Sequence, residues 1–201
     1  GLSWTRIRLH LLERSQTATF RRAAGVIFLT ETAHQVVERR IGPLSGRIAI
    51  VPHSIVDDFR HPPQRQQPLS AYSRSYPFRW LYVSIVDAYK HQWHVVEAVA
   101  RLKKEGVPLT LDLVGPAYPP ALRRLRKVIR RVDPGEEYIH YRGSVPYRDM
   151  ASYYHQADGF VFASSCEAFG QILLEAMASG LPIACSERGP MPEILGDAGV
   201  Y

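Results

Sequence analysis

The chain is 201 residues long, with 46% hydrophobic and 22% charged residues, close to the globular average. That composition excludes a disordered tail or a fibrous repeat, and no apolar run approaches the ~20 residues that span a bilayer. The net charge of +6 admits nucleic acid, an anionic membrane or phosphorylated ligands as partners and does not choose among them.

In chain order, residues 6–22 are predicted as a helix and 25–29 as a short buried strand. A helix over 32–40, capped by Thr30 or Thr32, and a strand over 47–51 follow. Residues 57–79 are rich in Pro, Gln, Ser and Arg and lack periodicity, as in a linker or a loose surface segment. A second block opens with a strand over 80–85 and a helix over 91–105, with Val95, Val96, Val99 and Leu102 on one face. Then come strand 109–115, helix 120–132, strand 138–143, helix 147–157, strand 159–163, helix 171–179, strand 182–186 and a short helix after Pro190. Strands alternating with helices through short connections predict an α/β fold, a parallel sheet with helices on both faces. Such sheets bind ligands beyond the carboxyl ends of their strands, which directs attention to the loops after residues 85, 115, 143, 163 and 186.

Two cysteines, Cys166 and Cys185, do not make a disulfide framework and fit free thiols in a reducing compartment. No Cys/His cluster has zinc spacing. The chain contains no asparagine and so no N-glycosylation acceptor. No charged-then-apolar segment of signal-peptide type leads it, and its first residue is Gly1, as in a processed or truncated piece.

The chemistry concentrates in Ser164–Gly180, SSCEAFGQILLEAMASG. A strand runs into a Gly-containing turn, and a helix starts near Gly170. A helix N-terminus offers unpaired backbone N–H groups and partial positive charge, an anion site. Phe169, Gly170 and Gln171 would supply those groups, and Gly170 lets the backbone approach the anion. Glu175 sits about 7–8 Å down the helix at ~1.5 Å per residue, and Glu167 lies on the other side of the anion. Carboxylates are strong acceptors for sugar hydroxyls. A diphosphate at the helix start with a hydroxyl-bearing ring at either end matches this pattern, and that is a nucleotide-diphosphate sugar. On spacing alone, a capping Glu167 and a solvated Glu175 are the commoner reading.

The segment EAFGQILLEAMASGLPIACSERGPMPEILGDAGVY resembles the donor-domain signature of retaining glycosyltransferases of family 4 (glycosyl transferases group 1), which have a GT-B fold of two facing Rossmann-like domains. YRGSVPYRDMASYYHQADGFVFASS, LDLVGPAY and IAIVPHSI extend the resemblance over most of the chain. It implies that residues 1–53 are the last elements of an acceptor-side domain, 54–79 an interdomain linker, and 80–201 the donor-binding domain. Glu167 would hold donor-sugar hydroxyls and Glu175 the ribose hydroxyls. Ala168, Phe169 and Gly170 would offer backbone donors to sugar or phosphate. Lys90 matches the family's phosphate-binding lysine; past a strand end, it can neutralise charge on a departing diphosphate, though a solvated loop lysine is the commoner role. Arg142, Gly143 and Val145 fall where the family's base pocket forms, and Gly189 and Glu193 in its following loop. The expected reaction is retaining glycosyl transfer from a nucleotide-diphosphate sugar to a hydroxyl on a sugar or lipid-linked acceptor, in surface polysaccharide or glycolipid assembly. No cofactor and no metal are expected. One departure stands out: the arginine usual five or six positions before the lysine is replaced by Ile85 and Ser84. A catalytically silent GT-B-like module, or a relative such as a nucleotide-sugar epimerase, therefore stays open.

The helix ALRRLRKVIRR carries Arg123, Arg124, Arg126, Lys127, Arg130 and Arg131 opposite Leu122, Leu125, Val128 and Ile129. It fits a solvated outer helix, and it also fits peripheral attachment to an anionic membrane. The expected location is cytoplasmic, including the inner membrane face. Nucleic-acid binding has no motif here. Cys166 beside Glu167 is a poor thiolate, and no G-x-S-x-G elbow occurs.

Overall fold

The computed structural model describes residues 4–63 and 65–201. Gly1, with which the sequence opens, lies outside the described residues. The chain divides into two compact units, Gly1–His53 and Ser54–Tyr201.

The first unit holds α1 (Trp4–Arg22), β1 (Gly25–Phe28), α2 (Glu31–Ile41) and β2 (Arg47–Ile50). The strands pair in parallel, Gly25 opposite Arg47 through Phe28 opposite Ile50. Thr30 caps α2, its hydroxyl accepting from the Ala33 amide at 3.1 Å, which satisfies one of the first-turn donors that a helix leaves unpaired.

The second unit contains β3 (Phe78–Val83), α3 (Gln92–Lys104), β4 (Leu109–Val114), α4 (Pro119–Val132), β5 (Ile139–Gly143), α5 (Tyr147–Gln156), β6 (Gly159–Phe162), α6 (Gln171–Ala178), β7 (Ile183–Cys185) and α7 (Met191–Leu195). The five strands form one parallel sheet in the order β5-β4-β3-β6-β7. Parallel strands buried on both faces are apolar runs, and Leu81, Leu111, Leu113, Ile139 and Phe160 are sealed from solvent accordingly. Each such side chain contributes about 1.5–3 kcal/mol by leaving water. The α4 stripe of Ala121, Leu125 and Ile129 is buried, and its six cations are exposed.

The strand order fixes where a ligand can sit. From β3 the chain winds outward through β4 to β5; it then crosses back and winds the other way through β6 to β7. The loops after β3 and β6 therefore leave in opposite directions and open a crevice at the strands' carboxyl ends.

Residues 54–63 run along α6 and are bonded to it from end to end. The Gln171 amide donates to the Ser54 carbonyl at 2.8 Å. The Ser179 hydroxyl donates to the Phe59 carbonyl at 2.9 Å, and the His61 amide to the Ala178 carbonyl at 2.9 Å. Phe59, in a 3-10 turn over Asp57–Phe59, is only 1% exposed. Gly180 has φ +66, and a Cβ there would come within 2.6 Å of Pro63 Cα; only glycine tolerates both demands.

Candidate functional site

Lys90 ends a 3-10 turn, Ala88–Lys90, that follows β3. Asp87 caps the turn, its carboxylate accepting from the Ala88 amide at 2.6 Å. The Tyr82 hydroxyl, from inside β3, donates to the Lys90 carbonyl. Lys90 is therefore held from two sides, and it is buried. Its ammonium lies 5.1 Å from the ring centroids of Tyr89 and Phe162, close enough for attraction to both π-faces. It donates to Glu167 Oε1 across the crevice between β3 and β6.

Glu167 belongs to the loop between β6 and α6. That loop is fastened to the β3 loop by the Ser165 amide, which donates to the Tyr89 carbonyl at 2.9 Å. His91 Nε2 lies 2.9 Å from Ser165 Oγ. Burial, with His94 and Arg124 nearby, lowers the His91 pKa. On the far side, the Ser186 hydroxyl after β7 donates to the Ser164 carbonyl. The loops after β3, β6 and β7 thus form one hydrogen-bonded rim.

Gly170 starts α6 with φ 97 and, being glycine, brings no capping side chain of its own. Of the two readings open for Glu167, the structure selects against the cap: its carboxylate faces Lys90. Ala168 is exposed and Phe169 buried, between Glu167 and the helix tip. Gly189 adjoins this loop, since a Cβ on it would lie 3.8 Å from the Glu167 carbonyl oxygen.

Glu175 is not a solvated helix residue either. It is 5% exposed, and its Oε2 accepts from the Tyr154 hydroxyl of α5 at 2.7 Å. Burial raises its pKa, and the Tyr154 bond works against that rise.

Arg142 lies in β5, and its guanidinium donates to Asp112 of the adjacent strand. Both line a cavity of about 420 Å³ beside α5, with Arg79, Asp149, Ser152 and Gln156 among its other walls. Neither Lys90, Glu167 nor Glu175 lines that cavity. Gly143 ends β5 with φ 72, and Val145 packs on the core. Among the described residues, no group of three or more His, Cys, Asp and Glu could hold a metal ion. No helix among them is long and apolar enough to cross a membrane.

Sequence reasoning missed Tyr154, Tyr82 and Ser165. Tyr154 had a usable signal: it stands four positions after Met150 on the apolar face of α5, and a buried tyrosine hydroxyl needs a partner.

The model of the family glycosyl transferases group 1 matches residues 73–200. The chain belongs to that family. Over 65 residues it is 45% identical to the O-antigen chain mannosyltransferase B of Escherichia coli, covering 32% of this chain and 17% of that protein. It is 27% identical over 184 residues to glycogen synthase of Mycobacterium tuberculosis, covering 90% of this chain and 42% of that protein. The chain spans less than half the length of the curated relatives it matches. The crystal structure of the pneumococcal O-GlcNAc transferase GtfA in complex with UDP and GlcNAc superposes with a TM-score of 0.66 at 25% identity, covering 87% of this chain and 33% of that one. The fold is the Rossmann-like α/β arrangement of GT-B glycosyltransferases.

Proposed function

We propose that the chain carries the donor site of a retaining glycosyltransferase of hexosyltransferase type, and that the donor is a nucleotide-diphosphate sugar. The observation that carries this reading is the meeting of Lys90 and Glu167 across the β3–β6 crevice, Glu167 standing in the loop that leads into α6 at Gly170. A lysine held against the loop that opens a positive helix end suits a diphosphate. The names of the relatives, a mannosyltransferase and a glycogen synthase, and the UDP bound to GtfA support it.

In this reading Lys90 turns from Glu167 to the diphosphate, and Glu167 accepts from hydroxyls of the sugar. Backbone amides at Ala168–Gly170 hold the sugar or phosphate, and Glu175 accepts from the ribose. Arg142, Gly143 and Val145 flank the base. The anomeric carbon's bond to the diphosphate breaks and one to the acceptor oxygen forms. The diphosphate leaves with its charge stabilised by Lys90 and the helix tip, and the acceptor's hydroxyl proton passes to solvent or to the released diphosphate. Residues 1–53 belong to the acceptor-side domain, 54–79 connect, and 80–201 bind the donor. The acceptor is a sugar or a lipid-linked sugar in surface polysaccharide or glycolipid assembly, met at the cytoplasmic membrane face. The cationic face of α4 provides attachment to that anionic surface.

Calorimetry with UDP, GDP, ADP and their sugars tests the donor site. Binding of one of them, weakened by Lys90→Ala, is expected; absence of heat with all of them overturns the reading. Ile85, standing where the family usually has a cation, favours a second reading: a module that binds a nucleotide sugar and transfers nothing. Donor binding without hydrolysis or transfer in the longer protein would select it.

A further inference from the structure

Glu175 sits on a helix of eight residues, yet the group that holds it comes from another element. Tyr154, near the end of α5, is fully buried. Its ring stacks on Phe160 with centroids 5.5 Å apart and meets Phe59 edge-on at 5.4 Å. Those two contacts leave the ring little freedom, so its hydroxyl points in a fixed direction. It donates to one carboxylate oxygen, Oε2. The other, Oε1, accepts from no protein group among the described residues and is not sealed from solvent.

That division of labour matters chemically. A lysine or arginine in place of Tyr154 would neutralise the carboxylate. A neutral phenol fixes one oxygen and leaves a full negative charge on the group, with a free oxygen to accept from a ligand. We propose that Tyr154 is a positioning residue that orients Glu175 toward the vicinal hydroxyls of the nucleotide's ribose. This rests on the reading of Glu175 as the ribose acceptor.

Burial disfavours the charged carboxylate, and the phenol's hydrogen bond opposes that effect. Tyr147 of α5 and Asp58 of the segment along α6 are also near this corner; Tyr147 is itself pushed up by burial, Glu175 and Asp58. Removing the phenol hydroxyl therefore both loosens the carboxylate and makes it easier to protonate. Ribose binding should then fade at a higher pH on acidification.

The test is calorimetry on the whole chain from pH 5.5 to 8.5. The ligands are whichever of UDP, GDP and ADP binds tightest, and its 2′,3′-dideoxy counterpart. The variants are Tyr154→Phe, Glu175→Gln and the two combined. The parent should prefer the ribo form. Tyr154→Phe should weaken that form by about tenfold, the worth of one hydrogen bond to a charged group, and leave the dideoxy form unchanged. Its affinity should also fall off at a higher pH than the parent's. In the Glu175→Gln background, Tyr154→Phe should cost less than half of what it costs in the parent. If the parent binds ribo and dideoxy forms equally, the reading of Glu175 fails and this proposal with it. If the parent discriminates but Tyr154→Phe keeps both the discrimination and the pH profile, the ribose reading stands and the role of Tyr154 is refuted. If Tyr154→Phe weakens both ligands alike, its role is structural only and the proposal is overturned. Should Tyr154→Phe fail to fold, Tyr154→His restores a ring donor, and the same two readouts decide.

Discussion

Lys90 and Glu167 stand 77 positions apart in the chain and form an ion pair inside the crevice of the sheet, their side chains 8% and 15% exposed. A buried pair is a poor source of stability, but breaking it leaves one charge stranded, at about 3–5 kcal/mol. Lys90→Met should therefore lower stability toward urea by an amount in that range. Lys90→Met combined with Glu167→Gln should recover most of the loss and still bind nucleoside diphosphate at least tenfold more weakly than the parent. A double variant no more stable than the single one would show that the pair is not what couples these positions.

Phe59 and Arg60 are adjacent but face different surroundings. Phe59 is 1% exposed and touches Tyr147 and Tyr154, whereas Arg60 pairs with an exposed carboxylate on Asp57. Phe59→Ala should cost about 3–5 kcal/mol. Arg60→Ala should cost less than about 1 kcal/mol, as exposed ion pairs do. Urea midpoints for the two variants check both values.

Because burial raises the Glu175 pKa, the native chain holds that proton more readily than the unfolded chain does. Its unfavourable contribution is absent below the unfolded carboxyl range, near ~4.3, and grows as pH rises through the native value. Glu175→Gln keeps an acceptor for Tyr154 and removes the charge. It should melt higher than the parent at pH 7, and the difference should shrink as pH falls toward 4. A gap that is constant with pH, or of opposite sign, contradicts this account.

On α4, Arg131 pairs with Glu97 and Arg124 lies over the Trp93 ring at 4.0 Å. Arg123, Lys127 and Arg130 are exposed, and no acid lies within the helix. Each cation near an anionic leaflet contributes about 1 kcal/mol. The chain should sediment with phosphatidylserine vesicles at low salt and not with phosphatidylcholine vesicles. Arg123→Glu, Lys127→Glu and Arg130→Glu together should abolish sedimentation. Equal recovery with neutral vesicles would exclude an electrostatic contact.

Much of the sheet is legible in the sequence because its strands are apolar runs bounded by glycine, as in LTLDLVG, which ends in one, and GFVFA, which begins with one. The first strand of the second unit is the instructive exception. Read as 80–85, it spans Phe78–Val83, with Phe78 and Arg79 already paired to Leu109 and Thr110. Those two residues follow a polar, proline-rich stretch, and only the neighbouring strand reveals their register. Phe59 was hidden in the same way: a single aromatic in a polar stretch has no period, and its burial depends on α5 and α6. The two carboxylates were legible as a spaced pair, and Lys90 as a candidate past a strand end. The pairings of Glu167 with Lys90 and of Glu175 with Tyr154 were not, since the partners lie 77 and 21 positions away and nothing local marks them.

The stitching of residues 54–63 along α6 bears on how relatives of this protein can be recombined. A hybrid joined at Trp80 would separate α6 from the peptide moulded to it, leaving Gly180 opposite a foreign backbone and an aromatic socket unfilled. A junction at Ser54 carries the helix, its brace and the socket across as one inherited module.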